Sequence, residues 1–206
     1  MGKFYNGVLG TMTGKVGGVV GRTWKGINTV AAYQPNVSNP RTNLQVAQRG
    51  KMAAITLFAS QINTSIIKPL WDRFAKGMSG YNAFIQNNIP FVSDLGVIDL
   101  SKLEISKGKM VAPGILAASY DGTNWGIDWD TAIADSYSMP TDKAYILITS
   151  GDAKKVTISA AIVQRSEGQI LIPSDISEDD EGYIYLAFKR ADGTIVSNTA
   201  RLSMLK

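Results

Sequence analysis

Asp128 and Asp130 are the best-spaced carboxylates in the chain, and paired carboxylates can hydrolyse a glycoside or hold a calcium ion. They alternate with Trp125, Ile127 and Trp129, so the simpler expectation is a strand that turns its tryptophans inward and its aspartates to solvent. Glu178-Asp179-Asp180-Glu181 is a second acidic group. It lacks the ligand spacing and glycine of a calcium loop and reads as a solvated turn. Gly10-Thr-Met-Thr-Gly14-Lys15-Val16 comes near a phosphate loop, but it is one residue short between its glycines and has Val where the magnesium-binding Ser or Thr belongs. The chain contains no Cys and no His. Thiol nucleophiles, Cys/His zinc sites, His-ligated haem and Ser-His or Cys-His couples are therefore excluded. No enzymatic activity, cofactor or metal is expected, and the remaining hydrolase reading rests on Asp128 and Asp130 alone.

Three stretches of different character would have to position these residues. Residues 1–40 hold eight of the 20 glycines (Gly2, Gly7, Gly10, Gly14, Gly17, Gly18, Gly21 and Gly26), and end in Gln34-Pro35-Asn36 and Asn39-Pro40. So much glycine buries little surface by itself, yet Val16, Val19, Val20, Trp24, Ile27 and Val30 make the stretch too apolar for a linker. The expectation is an extended β arm ordered by pairing with a sheet edge, such as that of a neighbouring copy. Residues 41–96 read as helical. Thr42-Asn-Leu-Gln45 fits a capping box, with Val46, Ala53, Ala54, Leu57 and Phe58 at helical spacing to about Ile62. Ile66, Ile67, Leu70, Trp71 and Phe74 form a second apolar set, with Pro69 in a first turn or at a kink and Gly77 as a stop. Ser79 caps a third helix through Gln86. Trp71 and Phe74 at this spacing are expected to be core and not a ligand box.

From residue 97 the period becomes two. Strands are predicted at Leu103–Ser106, Met110–Ser119, around Trp125–Trp129 and Ala144–Thr149, and at Val156–Gln164, Gln169–Pro173, Tyr183–Arg190 and Thr194–Leu205. In the last of these Val196, Ala200, Leu202 and Met204 should share one face, and Asp192-Gly193 should form a two-residue hairpin turn. Asp180-Glu-Gly182-Tyr183 approximates the turn before the sixth strand of an immunoglobulin-like domain. The expected fold is thus α+β: a Gly-rich extended β arm (1–40), a short helical segment (41–96) and an immunoglobulin-like antiparallel β-sandwich (97–206).

Charge divides unevenly along the chain. Residues 1–96 carry ten basic residues against Asp72 and Asp94, whereas 97–206 carry 11 basic against 15 acidic residues. A +8 part and a −4 part suggest complementary surfaces of one assembly, or a basic face turned toward a polyanion; a merely solvated surface is the plain alternative. No stretch has the apolar length of a membrane span, and the opening Met-Gly-Lys-Phe-Tyr-Asn-Gly shows neither a signal core nor an acylation motif. A soluble, unprocessed chain away from membranes is expected.

The order Asn6-Gly7, Gly14-Lys15-Val16-Gly17, Val20-Gly21, Trp24-Lys25-Gly26, then Asn39-Pro40-Arg41-Thr42-Asn43, Gln45 and Ala47-Gln48-Arg49 resembles an uncharacterised family of small Bacteroidota proteins. Its members are similar to genes in the structural modules of tailed phages, including crAss-like phages. The likeness extends to the final hairpin, Tyr185-Leu-Ala-Phe188 with Asp192-Gly193 and Val196-Ser197, and departs at Asn198-Thr199-Ala200. The resemblance implies a virion protein, a ring or collar subunit of the neck or tail, made in the host bacterial cytoplasm and in contact with portal, neck or tail components. A homo-oligomeric ring of about six or twelve copies is expected, assembled through heterologous contacts. The interlocking residues would be Lys15, Val16, Gly17, Gly18, Val19, Val20, Gly21, Arg22, Trp24, Lys25, Ile27 and Val30. Lys15, Arg22 and Lys25 would meet acidic neighbours or make non-specific contact with DNA in a lumen. The alternative is a monomeric surface or adhesion module whose sandwich loops bind glycan or protein.

Overall fold

The computed structural model describes residues 3–4, 10–133 and 135–204; Met1, Gly2, Asn6, Gly7 and Leu205 lie outside them. Four antiparallel strands come first, in the order β1 (Lys3–Phe4), β2 (Met12–Val16), β3 (Val19–Trp24) and β4 (Ile27–Ala32). Two-residue turns join the last three. Gly17 has φ 58° in the first, while Lys25 (46°) and Gly26 (81°) both take the positive φ that the second demands. Gly21 is required for a different reason: a Cβ there would collide with the Met12 carbonyl across the β2–β3 ladder. The extended backbone expected of this arm is present. Its ladders run within the arm, β2 to β3 and β3 to β4, and the outer edge of β4 pairs with no strand among the described residues. Local turns close these ladders at little entropic cost, whereas pairing between chains must first overcome association.

Helix α1 (Asn43–Ile62) starts where Thr42 Oγ1 accepts the Gln45 N–H at 3.4 Å. The turn Asn63–Ile67 is π-helical and leads into α2 (Lys68–Trp71), with the Lys68 N–H reaching back to the Asn63 carbonyl. Pro69 explains the widened turn, because its ring crowds the carbonyl four residues earlier and it donates no hydrogen bond. Ser79 caps α3 (Gly80–Asn88). The buried stripe of α1 is Ile55, Phe58, Ala59 and Ile62, and Val46 and Leu57 are exposed instead of packed. Apolar residues occupy more of this helix surface than the layer beneath it can cover. Trp71 is buried and donates its Nε1–H to the Ile105 carbonyl at 2.8 Å, whereas Phe74 lies at the surface.

The sandwich is made of β5 (Ile115–Tyr120), β6 (Asn124–Trp129), β7 (Lys143–Thr149), β8 (Val156–Gln164), β9 (Gln169–Pro173), β10 (Tyr183–Lys189) and β11 (Ala200–Ser203). One sheet has the order β5-β6-β9 and the other β11-β10-β7-β8. Taken in chain order, the first, second and fifth strands face the third, fourth, sixth and seventh, which is an immunoglobulin-like Greek key. Where antibody domains place a disulfide between the second and sixth strands, Trp129 on β6 meets Phe188 on β10 edge-on, with ring centroids 6.0 Å apart. Gly182 precedes β10 because a Cβ would strike the Thr149 carbonyl. Between the sheets lie Trp125, Ile127, Trp129, Ile146, Ile148, Ile172, Ile184, Leu186 and Phe188.

Several expected strands are shorter or absent. Leu103–Ser106 is irregular, although Leu103 and Ile105 are fully buried, and β5 begins at Ile115 instead of Met110. The last strand is reduced to Ala200–Ser203. Its expected common face is split: Val196 packs toward the helices, while Ala200 and Met204 pack between the sheets. Met110 pairs with Ser197 in this interval and breaks the alternation. The turn at Asp192-Gly193 has four residues, closed by the Arg190 N–H to Ile195 carbonyl bond at 3.0 Å, with Gly193 at φ 74°.

The helices and the sandwich share apolar surface. Tyr145, Leu147, Tyr185 and Ala187 point away from the sandwich interior into a second core, formed with Ile55, Phe58, Ile62, Ile66, Leu70 and Phe84. The Tyr185 hydroxyl is satisfied there by the Leu100 carbonyl at 2.7 Å, and burial pushes its pKa upward. The β11-β10-β7-β8 sheet is therefore the middle of three layers, covered by helices on one side and by the β5-β6-β9 sheet on the other.

Candidate interface on the basic arm sheet

In the arm sheet β2 and β3 are paired on both sides and β4 on one, and many side chains of β3 and β4 are exposed. Register pairs Lys15 with Val20, Arg22 with Thr29 and Trp24 with Ile27. Lys15, Val20, Arg22, Trp24 and Ile27 therefore share one face, since side chains alternate along each strand. Val16, Val19, Gly21 and Val30 fall on the other face, and Gly17, Gly18 and Lys25 form the turns. Trp24 is 59% exposed, Ile27 52% and Val30 65%. Lys15 Nζ stands 3.4 Å from the Tyr33 ring centroid, a cation–π contact that holds one cation on the Trp24 face. The Lys25 ammonium donates to the Met78 carbonyl at 2.5 Å and ties the second turn to the loop before α3. Arg49 donates to the Asn39 side chain where the arm enters α1. The meander itself was legible in Gly17-Gly18 and Lys25-Gly26, two-residue turns set between β-branched runs.

The arm's cations meet no carboxylate of its own segment. Lys3, Lys15, Arg22 and Lys25 are accompanied by no Asp or Glu before Asp72, and the ion pairs among the described residues join groups at Lys51 and beyond. Exposed aromatic and β-branched side chains therefore lie beside cations that no carboxylate of the arm neutralises.

The carboxylates considered for catalysis are arranged otherwise. Asp128 and Asp130 are exposed, while Trp125, Ile127 and Trp129 are buried, as the alternation predicts. Asp130 Oδ1 accepts the Ala132 N–H at 2.8 Å in a local turn. Residues 178–180 form a short 3-10 turn in which Asp180 accepts the Ser177 N–H at 2.8 Å and pairs with Lys155 at 3.2 Å. No group of three or more acidic side chains among the described residues is arranged to hold a metal ion. A cleft lies between α1 and the turn after β7, lined by Leu57, Phe58, Gln61, Val97, Ile98 and Asp152. It contains one carboxylate, committed to Ser150 and Lys154. Sequence reasoning missed the most deeply buried charges: Arg165 and Asp142 pair at 3.3 Å inside one end of the sandwich.

A family model described as a family of unknown function (DUF6266) matches residues 11–203. The chain belongs to this family. The match runs from the start of β2 to the end of β11, so arm, helical layer and sandwich are parts of one DUF6266 unit. No curated protein matches the chain. No helix among the described residues is long and apolar enough to cross a membrane.

The titrating groups of this DUF6266 chain predict a distinct acid response. Hydrogen bonds from the Ser150 hydroxyl and then the Lys154 N–H pull Asp152 down to about 2. The Lys102 ammonium and the Ser101 hydroxyl lower Asp99, the Asn124 N–H lowers Asp121, the Ser177 N–H lowers Asp180, and the Thr194 hydroxyl lowers Asp192. A carboxylate depressed in the folded state contributes stability above its unfolded value and loses it as pH falls through the folded value. With no His or Cys, the urea midpoint should be flat between about pH 5 and 8. It should decline as the medium is acidified from 3.8 toward about 2. Denaturation curves across this range test the point; a midpoint already falling at neutral pH would contradict it.

Proposed function

We propose that this protein is a non-enzymatic structural component of a phage virion, a ring or collar subunit of the neck or tail that assembles through its N-terminal arm. One observation carries the assembly part of the reading: a sheet whose backbone is fully engaged in its middle strand but whose Trp24, Ile27 and Val30 are more than half exposed beside Lys15, Arg22 and Lys25. Such a surface is stabilised when a partner covers it. The virion part of the reading is supported by the resemblance of the Gly14–Gly26 and Asn39–Arg49 motifs to a family of small Bacteroidota proteins whose members are similar to genes in phage structural modules.

Sedimentation velocity and native mass spectrometry of the full chain test the assembly. An oligomer of defined mass is expected, dissociating when Trp24→Ser and Ile27→Ser are combined while the circular dichroism of the sandwich is unchanged. A chain that remains monomeric at its highest soluble concentration overturns the ring and favours the adhesion module. Mass spectrometry of purified particles from the source tests the virion assignment: a stoichiometric band at 22.2 kDa supports it, and its absence from particles refutes it.

A further inference from the structure

We infer that the arm sheet of one copy docks face to face on the outer surface of the β5-β6-β9 sheet of the next copy, a partner assignment that rests on the arm-mediated assembly proposed above. The two surfaces are opposite in charge. The arm segment, residues 1–40, has four cations and no acidic residue, whereas residues 113–135 and 166–176, which form β5, β6, β9 and their adjoining turns, have Asp121, Asp128, Asp130, Asp135, Glu167 and Asp175 and no basic residue.

The shapes match as well. Register places Ser119, Gly126 and Leu171 in one row across the outer face, and Ala117, Asp128 and Gln169 in the next. Ser119, Ala117 and Gly126 add little side-chain bulk to these rows, and the Ser119 hydroxyl and Leu171 lean toward Gly126. Leu171 stands on this face 70% exposed, and no element among the described residues covers it. The Trp24 face of the arm carries the counterparts: Trp24 and Ile27 for Leu171, and Arg22 and Lys15 for Asp128 and its acidic rim. Sheets packed in this way lie about 10 Å apart with interdigitating side chains.

Charge also decides against another uncovered surface, the stripe of Val46, Ala53 and Leu57 on α1. That helix contains Arg49 and Lys51, the latter paired with Asp94 at 2.7 Å, and no acidic residue, so it offers the arm's cations no carboxylate of its own. Donor and acceptor are different surfaces, so the contact is heterologous and propagates from copy to copy until it closes. Three short strands present a face of roughly 15 by 20 Å, less than a stable pair of proteins normally buries. Each contact is weak alone, and closure of the ring supplies the rest by holding every copy at two places.

Absence of native cysteine makes a direct test possible. Full-length Ile27→Cys and full-length Leu171→Cys are mixed under mild oxidation. The expected product is a mixed disulfide dimer, formed faster than either variant links to itself and suppressed by high salt, which screens the charges. In sedimentation, Arg22→Glu and Asp128→Lys should each weaken assembly about tenfold, and the two together in one chain should restore it. Preferential self-linking of Ile27→Cys overturns the docking by showing an arm-to-arm contact. If neither disulfide nor charge swap has an effect while Trp24→Ser with Ile27→Ser still dissociates the oligomer, the docking face is wrong and arm-mediated assembly stands. If the unmodified chain is monomeric and no mixed disulfide forms, both fall.

Discussion

Arg165→Met should lower the free energy of unfolding by about 3–5 kcal/mol, among the largest effects of any single substitution in this chain. The guanidinium is 3% exposed and its partner Asp142 is completely buried. Arg165 Nε donates to Asp142 Oδ2 at 3.3 Å, its planar group stacks 4.0 Å from the Phe188 ring centroid, and one of its terminal nitrogens lies 3.1 Å from Met110 Sδ. Asp142 Oδ2 also accepts the Met139 N–H at 2.8 Å, whereas Oδ1 has no partner among the described residues. Removing Arg165 therefore strands a carboxylate in an apolar end of the sandwich with one remaining hydrogen bond. Arg165→Met combined with Asp142→Leu should recover much of the loss, because the desolvation penalty disappears with the second charge. Urea denaturation of the two single variants and the double variant measures the coupling. A loss below about 1 kcal/mol for Arg165→Met would mean that the pair is solvated.

Residues 97–206 expressed alone should fail to reach the native packing, although the change of periodicity marks them off as the sandwich. Tyr145, Leu147, Tyr185, Ala187 and Val196 are covered in the whole chain by α1, the π-turn, α2 and α3. Each large apolar side chain returned to water costs about 1.5–3 kcal/mol. Four of them approach the total stability of about 5–15 kcal/mol that a domain possesses. The isolated fragment should bind hydrophobic dyes and aggregate, and its amide spectrum should lack the dispersion of a packed sandwich. A soluble fragment with native-like dispersion would show that the sheet tolerates an open outer face and that the helices are an addition to a complete domain.

Much of the architecture was readable from local pattern. The strand–aspartate alternation of β6, the bounds of β8 and β9, and the Thr42 and Ser79 caps are properties of neighbouring residues, and the structure shows each of them. The final strand was misread because its alternation is interrupted by pairing with Met110, 87 positions away from Ser197. No window on either side contains that information. On α1, the choice between the Val46–Leu57 and Ile55–Ile62 stripes depends on where the middle sheet lies beneath it. The Arg165–Asp142 pair escaped notice for the same reason. Both residues look like surface charges until β8 and the turn before β7 bring them together inside.

The arm shows the division most clearly. Its glycine turns, its β-branched runs and its lack of any carboxylate are written in residues 10–33, and these alone determine a twisted antiparallel meander of positive charge, because turn φ angles and side-chain alternation are local. What its faces meet was decided by tertiary packing. The three-layer body buries both sides of one sheet, and in the folded chain Trp24 and Ile27 remain more than half exposed. Burial depends on which surfaces remain after the whole chain has folded, and that is a property of no segment by itself.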